Sequence, residues 1–148
     1  MKYLFVSDLH LEADSPRSVA AFTALLRGEA RSAAALYVLG DLFEAWVGDD
    51  AIDTPGFAAD CAQVLREASA QRPLFFLHGN RDFLLGSQLL AHCQGQLLDD
   101  PCVLTVGKQR WLLAHGDALC LDDVRYMAFR AQVRSAFPRK KRSIEFCQ

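Results

Sequence analysis

Five short apolar runs, Tyr3–Val6, Leu36–Leu39, Leu74–Leu77, Val103–Val106 and Trp111–Ala114, each give way to a polar or glycine-containing turn. Runs of this length, rich in branched and aromatic residues, predict strands. Between the first three lie Ser18–Arg27 and Phe57–Ala70, where Phe22, Leu25 and Leu26, then Phe57, Cys61, Val64 and Leu65, recur at helical spacing. Strand and helix in alternation predict crossover helices and a parallel α/β sheet. Gly107-Lys108-Gln109 has the length of a hairpin connection, so an antiparallel element is expected to join the sheet at the last two strands. Asp122-Asp123 ahead of Val124, Met127, Ala128 and Ala131 predicts an N-capped helix ending near Ser135.

The 148 residues suffice for one domain with a sizeable core, assigned here to residues 1–135, without repeats or linkers. Ala136–Gln148 carries Pro138, a four-residue basic run and no apolar periodicity, and is expected to be an unstructured basic tail of doubtful origin. The formal net charge of −2 divides unevenly. From Arg134 onward there are five basic residues and one acidic, which leaves 11 basic against 17 acidic in residues 1–133. An acidic body with one short basic tail lacks the basic face of a nucleic-acid binder. A solvated tail is the plain reading of Arg139–Arg142; attraction to anionic lipid or nucleic acid is the functional one.

No apolar run approaches the roughly 18 residues of a membrane-spanning helix, and Met1-Lys2 leads directly into a strand, so a cytoplasmic chain is expected. The five cysteines (Cys61, Cys93, Cys102, Cys120, Cys147) are odd in number and form no CxxC pair. They read as reduced, mostly buried thiols.

Four of the strands run out into residues able to bind a metal: Asp8-Leu9-His10, Gly40-Asp41, Gly79-Asn80-Arg81-Asp82 and His115-Gly116-Asp117. Open α/β sheets gather ligand sites outside the carboxyl ends of their strands, where such turns converge. In an extended segment residues two apart face the same side, so Asp8 and His10 can grip one ion while Leu9 turns into the core. Gly40, Gly79 and Gly116 allow tight turns there. Carboxylate, amide and imidazole donors together suit Mn²⁺ or Fe²⁺ better than a thiolate-seeking ion. Taken singly, Asp8 and Asp41 could cap helices, Asn80 could occupy a left-handed turn, and His115 could be a hydrogen-bonded core residue. Their order, each immediately after a strand, favours a joint site. His78 and His92 lack that support and are assigned to structure.

These four motifs resemble the successive motifs of the calcineurin-like metallophosphoesterases. The stretches SDLHL (7–11), GDLFEAWVGDD (40–50), HGNRDFLLG (78–86) and HGDALCLDDVRYMAFR (115–130) resemble in particular the UDP-2,3-diacylglucosamine diphosphatases of the lipid A pathway, over roughly residues 1–135. The resemblance implies a four-layer α/β/β/α sandwich, of which this chain holds the N-terminal portion. It implies two divalent metal ions, most readily Mn²⁺, with Asp8 and His10 on one, Asn80 and His115 on the other, and Asp41 bridging. Two ions about 3.5–4 Å apart can activate a water and clamp an in-line displacement at phosphorus. Arg81, with its planar fork of donors, is implied for a substrate phosphate, and Asn80 and Asp123 for substrate contact; Arg81 in a surface ion pair and Asp123 as a helix cap are the competing readings. The implied reaction splits the pyrophosphate bond of UDP-2,3-diacylglucosamine into UMP and 2,3-diacylglucosamine 1-phosphate (lipid X). A glycolipid nucleotide substrate places such a protein at the inner face of the inner membrane, held peripherally. No nucleic acid and no obligate protein partner is expected.

Members of that family are longer, with a helical cap and a later Gly-His-x-His motif that gives one histidine to each metal. No histidine follows His115 here, and the resemblance stops near Ser135. A truncated or frame-shifted product is therefore expected, with an unpaired sheet edge and an exposed apolar face. Two function classes stand: the metal-dependent pyrophosphate hydrolase, including a nucleotide pyrophosphatase or phosphodiesterase as a variant, and an inactive remnant of it.

Overall fold

The computed structural model describes residues 1–135 and 144–146. In chain order the elements are β1 (Tyr3–Val6), α1 (Pro16–Arg27), β2 (Ala35–Val38), α2 (Phe57–Ser69), β3 (Leu74–Phe76), α3 (Ser87–His92), β4 (Gln96–Leu97), β5 (Cys102–Val106), β6 (Gln109–Leu113), α4 (Val124–Ser135) and β7 (Ile144–Phe146). Single turns of 3-10 helix lie at Glu29–Ser32, Asp49–Asp53 and Asp117–Leu119. The first four strands pair in parallel in the order β1-β2-β3-β4; β5 lies between β6, antiparallel, and β7, parallel.

The hairpin thus builds a second sheet instead of joining the first. Gln96–Leu97 takes the free edge of β3, and the following strands turn their apolar side onto the face of the parallel sheet. Leu36, Val38, Leu74 and Phe76 face α1 and α2 through Phe22, Leu26, Cys61 and Leu65. Ala35, Tyr37, Phe75 and Leu77 face Cys102, Leu104 and Leu113 of the second sheet. With both faces covered, β2 is buried at all four positions, as a central parallel strand should be. Across the inner face Phe5, Tyr37 and Phe75 stack in a row with ring centroids 5.0 and 4.8 Å apart.

Two elements escaped the sequence pattern. β4 has two residues, too few for any alternation to register. The six residues of α3 are organised from a distance: the Asp49 carboxylate accepts the backbone N–H groups of Gly86, Gln88 and Leu89, a cap supplied by another loop. A third difference lies in the basic tail. Ile144–Phe146 forms β7 along β5, whereas the whole of Ala136–Gln148 was expected to be unstructured; three residues are again too short for a pattern to show. The rest of that tail lies outside the described residues.

The expected exposed apolar surface is present. β1 sits at the edge of its sheet with Phe5 44% exposed, and Trp111 and Leu112 on β6 stand open to solvent. No helix among the described residues is long and apolar enough to cross a membrane.

Cys61, Cys93 and Cys102 are buried free thiols and Cys120 is exposed. Burial pushes the thiols of Cys61 and Cys102 up to about 11 and raises that of Cys93. Because the thiolate is the reactive form, brief alkylation of the native chain at neutral pH, mapped by peptide mass spectrometry, is expected to modify Cys120 and spare those three until denaturant is added.

Candidate metal centre

The pairing of β1 with β2 continues past both strands. Asp8 N–H reaches Gly40 O at 3.1 Å, His10 N–H reaches Asp41 O at 3.1 Å, and Leu11 N–H reaches Leu42 O at 2.9 Å. The two turns are thereby laid side by side. Asp8, His10 and Asp41 converge so that one donor atom from each lies within 4.8 Å of the others, a group that could hold a metal ion.

They do not reach this geometry as an extended segment. Asp8, His10 and Asp41 have left-handed φ angles of 54°, 47° and 51°. Each such residue costs on the order of 1–3 kcal/mol and persists where surrounding contacts over-determine it, most often at functional sites. The alternation expected for Asp8 and His10 is therefore replaced by a tight turn, although Leu9 still packs against the core. Glycine is required where the turns touch: Gly40 has φ 95° and any Cβ there would meet the His115 ring, while a Cβ on Gly79 would collide with Asp41.

His115 completes the cluster from the end of β6. Its Nδ1 lies 2.9 Å from the Leu39 carbonyl, which can only accept, so Nδ1 carries the proton. Its Nε2 lies 3.1 Å from Asn80 Oδ1 and 3.7 Å from Asp41 Oδ2. His10 is arranged alike. Its Nδ1 is 2.7 Å from Glu44 Oε2, leaving Nε2 turned toward the same Asp41 Oδ2 at 3.8 Å. Asp41 is 2% exposed and its other oxygen accepts the Arg81 backbone N–H at 2.9 Å. Carboxylate, amide and imidazole donors converging on one space are what a divalent cation requires, so the donor set fits divalent metal.

The structure brings Asp8, His10, Asp41, Asn80 and His115 into one cluster. The side chain of Arg81 lies beside it, half exposed, with Nη1 3.3 Å from Glu44 Oε1. Asp123 is not in the cluster: its Oδ1 accepts the Tyr126 N–H at 2.9 Å and caps α4. His78, buried, bonds the Leu85 carbonyl, consistent with a structural assignment.

Sequence reasoning passed over the groups that hold these turns. Asp82 is buried and accepts N–H bonds from Gly79 (2.8 Å), Asp41 (3.2 Å) and Leu42 (2.8 Å). Asp117, also buried, receives Arg130, Arg134 and the Tyr126 hydroxyl. Arg130 continues to Asp100, which accepts the His115 N–H, and Arg134 donates to the carbonyls of His78 and Gly79. Both aspartates lie inside quoted motifs, and their placement directly after Arg81 and Gly116 was the only signal available.

The chain belongs to the calcineurin-like phosphoesterase family, whose model matches residues 1–140. Among curated relatives it is 47% identical over 135 residues to a UDP-2,3-diacylglucosamine hydrolase of Chromohalobacter salexigens, covering 90% of this chain and 54% of that one. It is 50% identical over 131 residues to the protein of that name from Chromobacterium violaceum, covering 88% and 54%. The chain thus spans about half the length of the curated relatives it matches. Among solved structures, a nuclease of Pseudomonas putida is similar in fold, with TM-score 0.52 and 24% identity over 71% of this chain and 54% of that chain.

Burial by itself would raise the Asp117 carboxyl, but the bonds and charges of Arg130, Tyr126 and Arg134 outweigh it and hold the group below its ordinary value. Its contribution to stability is present above the unfolded carboxylate value of about 3.9 and lost as pH falls through the lower native one. Asp117→Ala is expected to cost about 1–3 kcal/mol at neutral pH, since Arg130 keeps Asp100 and Arg134 keeps the His78 and Gly79 carbonyls while both lose their bonds to Asp117. Urea unfolding followed across the acid range should show Asp117→Asn with a shallower loss of stability than the parent.

Proposed function

We propose that the chain carries the metal-binding half of a hydrolase that splits the pyrophosphate bond of UDP-2,3-diacylglucosamine to UMP and 2,3-diacylglucosamine 1-phosphate. One observation carries this reading: Nε2 of His10 and Nε2 of His115 both lie close to a single oxygen of Asp41, at 3.8 and 3.7 Å. That geometry suits a bridging carboxylate between two ions, with Asp8 and His10 on one side and Asn80 and His115 on the other. Similarity to the hydrolases of Chromohalobacter and Chromobacterium supports the substrate.

Two divalent cations, Mn²⁺ in this proposal, supply when bound the activation of a water and charge neutralisation at phosphorus. The chain's own residues do the rest. Asp41 contributes an anionic oxygen that an amide could not match. Arg81 offers parallel N–H donors to a phosphate oxygen pair, a geometry lysine would lose. In this proposal Asn80, whose Oδ1 lies 3.1 Å from His115 Nε2, also contacts the substrate, and Asp123, exposed at the start of α4, does so with the oxygen not used in capping. Peripheral attachment at the inner face of the inner membrane brings these groups to a diacylated substrate.

The second reading is a chain that binds metal without turnover, favoured by its spanning about half the length of the curated relatives it matches. The experiment that separates the two is UMP release from UDP-2,3-diacylglucosamine by the purified chain with Mn²⁺. Hydrolysis that EDTA removes and Asp41→Asn abolishes is expected. A folded chain that binds Mn²⁺ but releases no UMP establishes the second reading.

A further inference from the structure

Glu44 stands between two groups of the proposed centre and belongs to neither. We propose that it is a positioning residue, holding the His10 ring with one carboxylate oxygen and the Arg81 guanidinium with the other, so that metal binding and phosphate recognition are tied through one side chain. The inference rests on the reading of His10 as a metal ligand and Arg81 as a phosphate contact.

The backbone delivers Glu44 to this place and keeps it there. Its N–H bonds the Leu11 carbonyl at 3.1 Å, and the preceding Phe43 forms a parallel bridge with Leu11, one residue beyond His10. The Phe43 ring is fully buried and stacks on Trp46 at 4.4 Å, while Trp46 N–H bonds the Arg81 carbonyl at 3.2 Å. Glu44 is thus fastened on one side to the His10 turn and on the other to Arg81. Its Oε2 lies 2.7 Å from His10 Nδ1 and its Oε1 lies 3.3 Å from Arg81 Nη1.

Magnitudes separate this role from a structural one. The side chains of His10 and Glu44 are 38% and 36% exposed, and polar contacts so open to water contribute about 0–1 kcal/mol to folding. Orientation is another matter. A carboxylate at Nδ1 fixes a proton there and turns Nε2 toward Asp41. The Arg81 fork has five N–H donors, so one edge can stay on Glu44 while another meets a phosphate.

The test uses the full chain without substrate. Mn²⁺ affinity, read from the electron paramagnetic resonance of the free ion, is expected to fall about 10–100-fold in Glu44→Ala, with little change in thermal stability. Glu44→Gln retains an acceptor for His10 and is expected to keep more of the affinity, while its weaker hold on the Arg81 guanidinium leaves that side chain less well placed and weakens inorganic phosphate binding to the Mn²⁺-loaded protein. In the metal-free chain, long-range proton–nitrogen NMR should place the His10 proton on Nδ1 in the parent and in Glu44→Gln, and on Nε2 in Glu44→Ala. Unchanged Mn²⁺ affinity in Glu44→Ala, with His10→Ala impaired, overturns the role of Glu44. Unchanged affinity in His10→Ala overturns the metal assignment itself, and the proton position then still reports whether Glu44 orients the ring.

Discussion

The Asp82 carboxylate is the fastening on which the candidate metal centre depends. Buried between two turns, it accepts the N–H of Gly79 from one and those of Asp41 and Leu42 from the other. Burial raises its affinity for a proton, and the three N–H donors oppose that rise. Three bonds to backbone fix the chain itself rather than any side chain, so Asp41 and Asn80 inherit their positions from a group that touches no ligand. Parallel pairing continued past β1 and β2 fixes the third turn against the second in the same way.

With the backbone so constrained, the site can hold energetically unfavourable arrangements in place. Three of its residues sit at left-handed φ, and two imidazole Nε2 atoms face one carboxylate oxygen. Each ring has its proton drawn away by an outside acceptor, the Leu39 carbonyl for His115 and the Glu44 carboxylate for His10. The same principle acts through a backbone group in one case and a side chain in the other. Only the side chain can also reach Arg81.

α4 shows how far the apolar pattern could be trusted. The spacing of Val124, Met127, Ala128 and Ala131 correctly indicated a helix, and Asp123 caps it as the competing reading held. The side of the helix that is buried is another one. Val124, Ala128 and Ala131 are exposed, whereas Arg134 is buried and Arg130 nearly so, both drawn to Asp117. Periodicity counts methyl groups and is blind to a helix attached through charge. The hairpin carries a related lesson: its strands were legible, but whether they extended the first sheet or covered it depended on which element claimed the edge of β3.

The sequence by itself determined the alternation of strand and helix, the parallel sheet, and the five candidate donors after four strands, because each is written in a few consecutive residues. Asp8, His10, Asp41, Asn80 and His115 could be named for that reason. Tertiary structure decided what lies between distant segments: the second sheet, the cap that Asp49 lends to α3, the clasp of Asp82, and the meeting of Glu44 with His10 and Arg81. A hydrogen bond across more than thirty residues leaves no periodic trace, since nothing in either partner's neighbourhood records where the other will be.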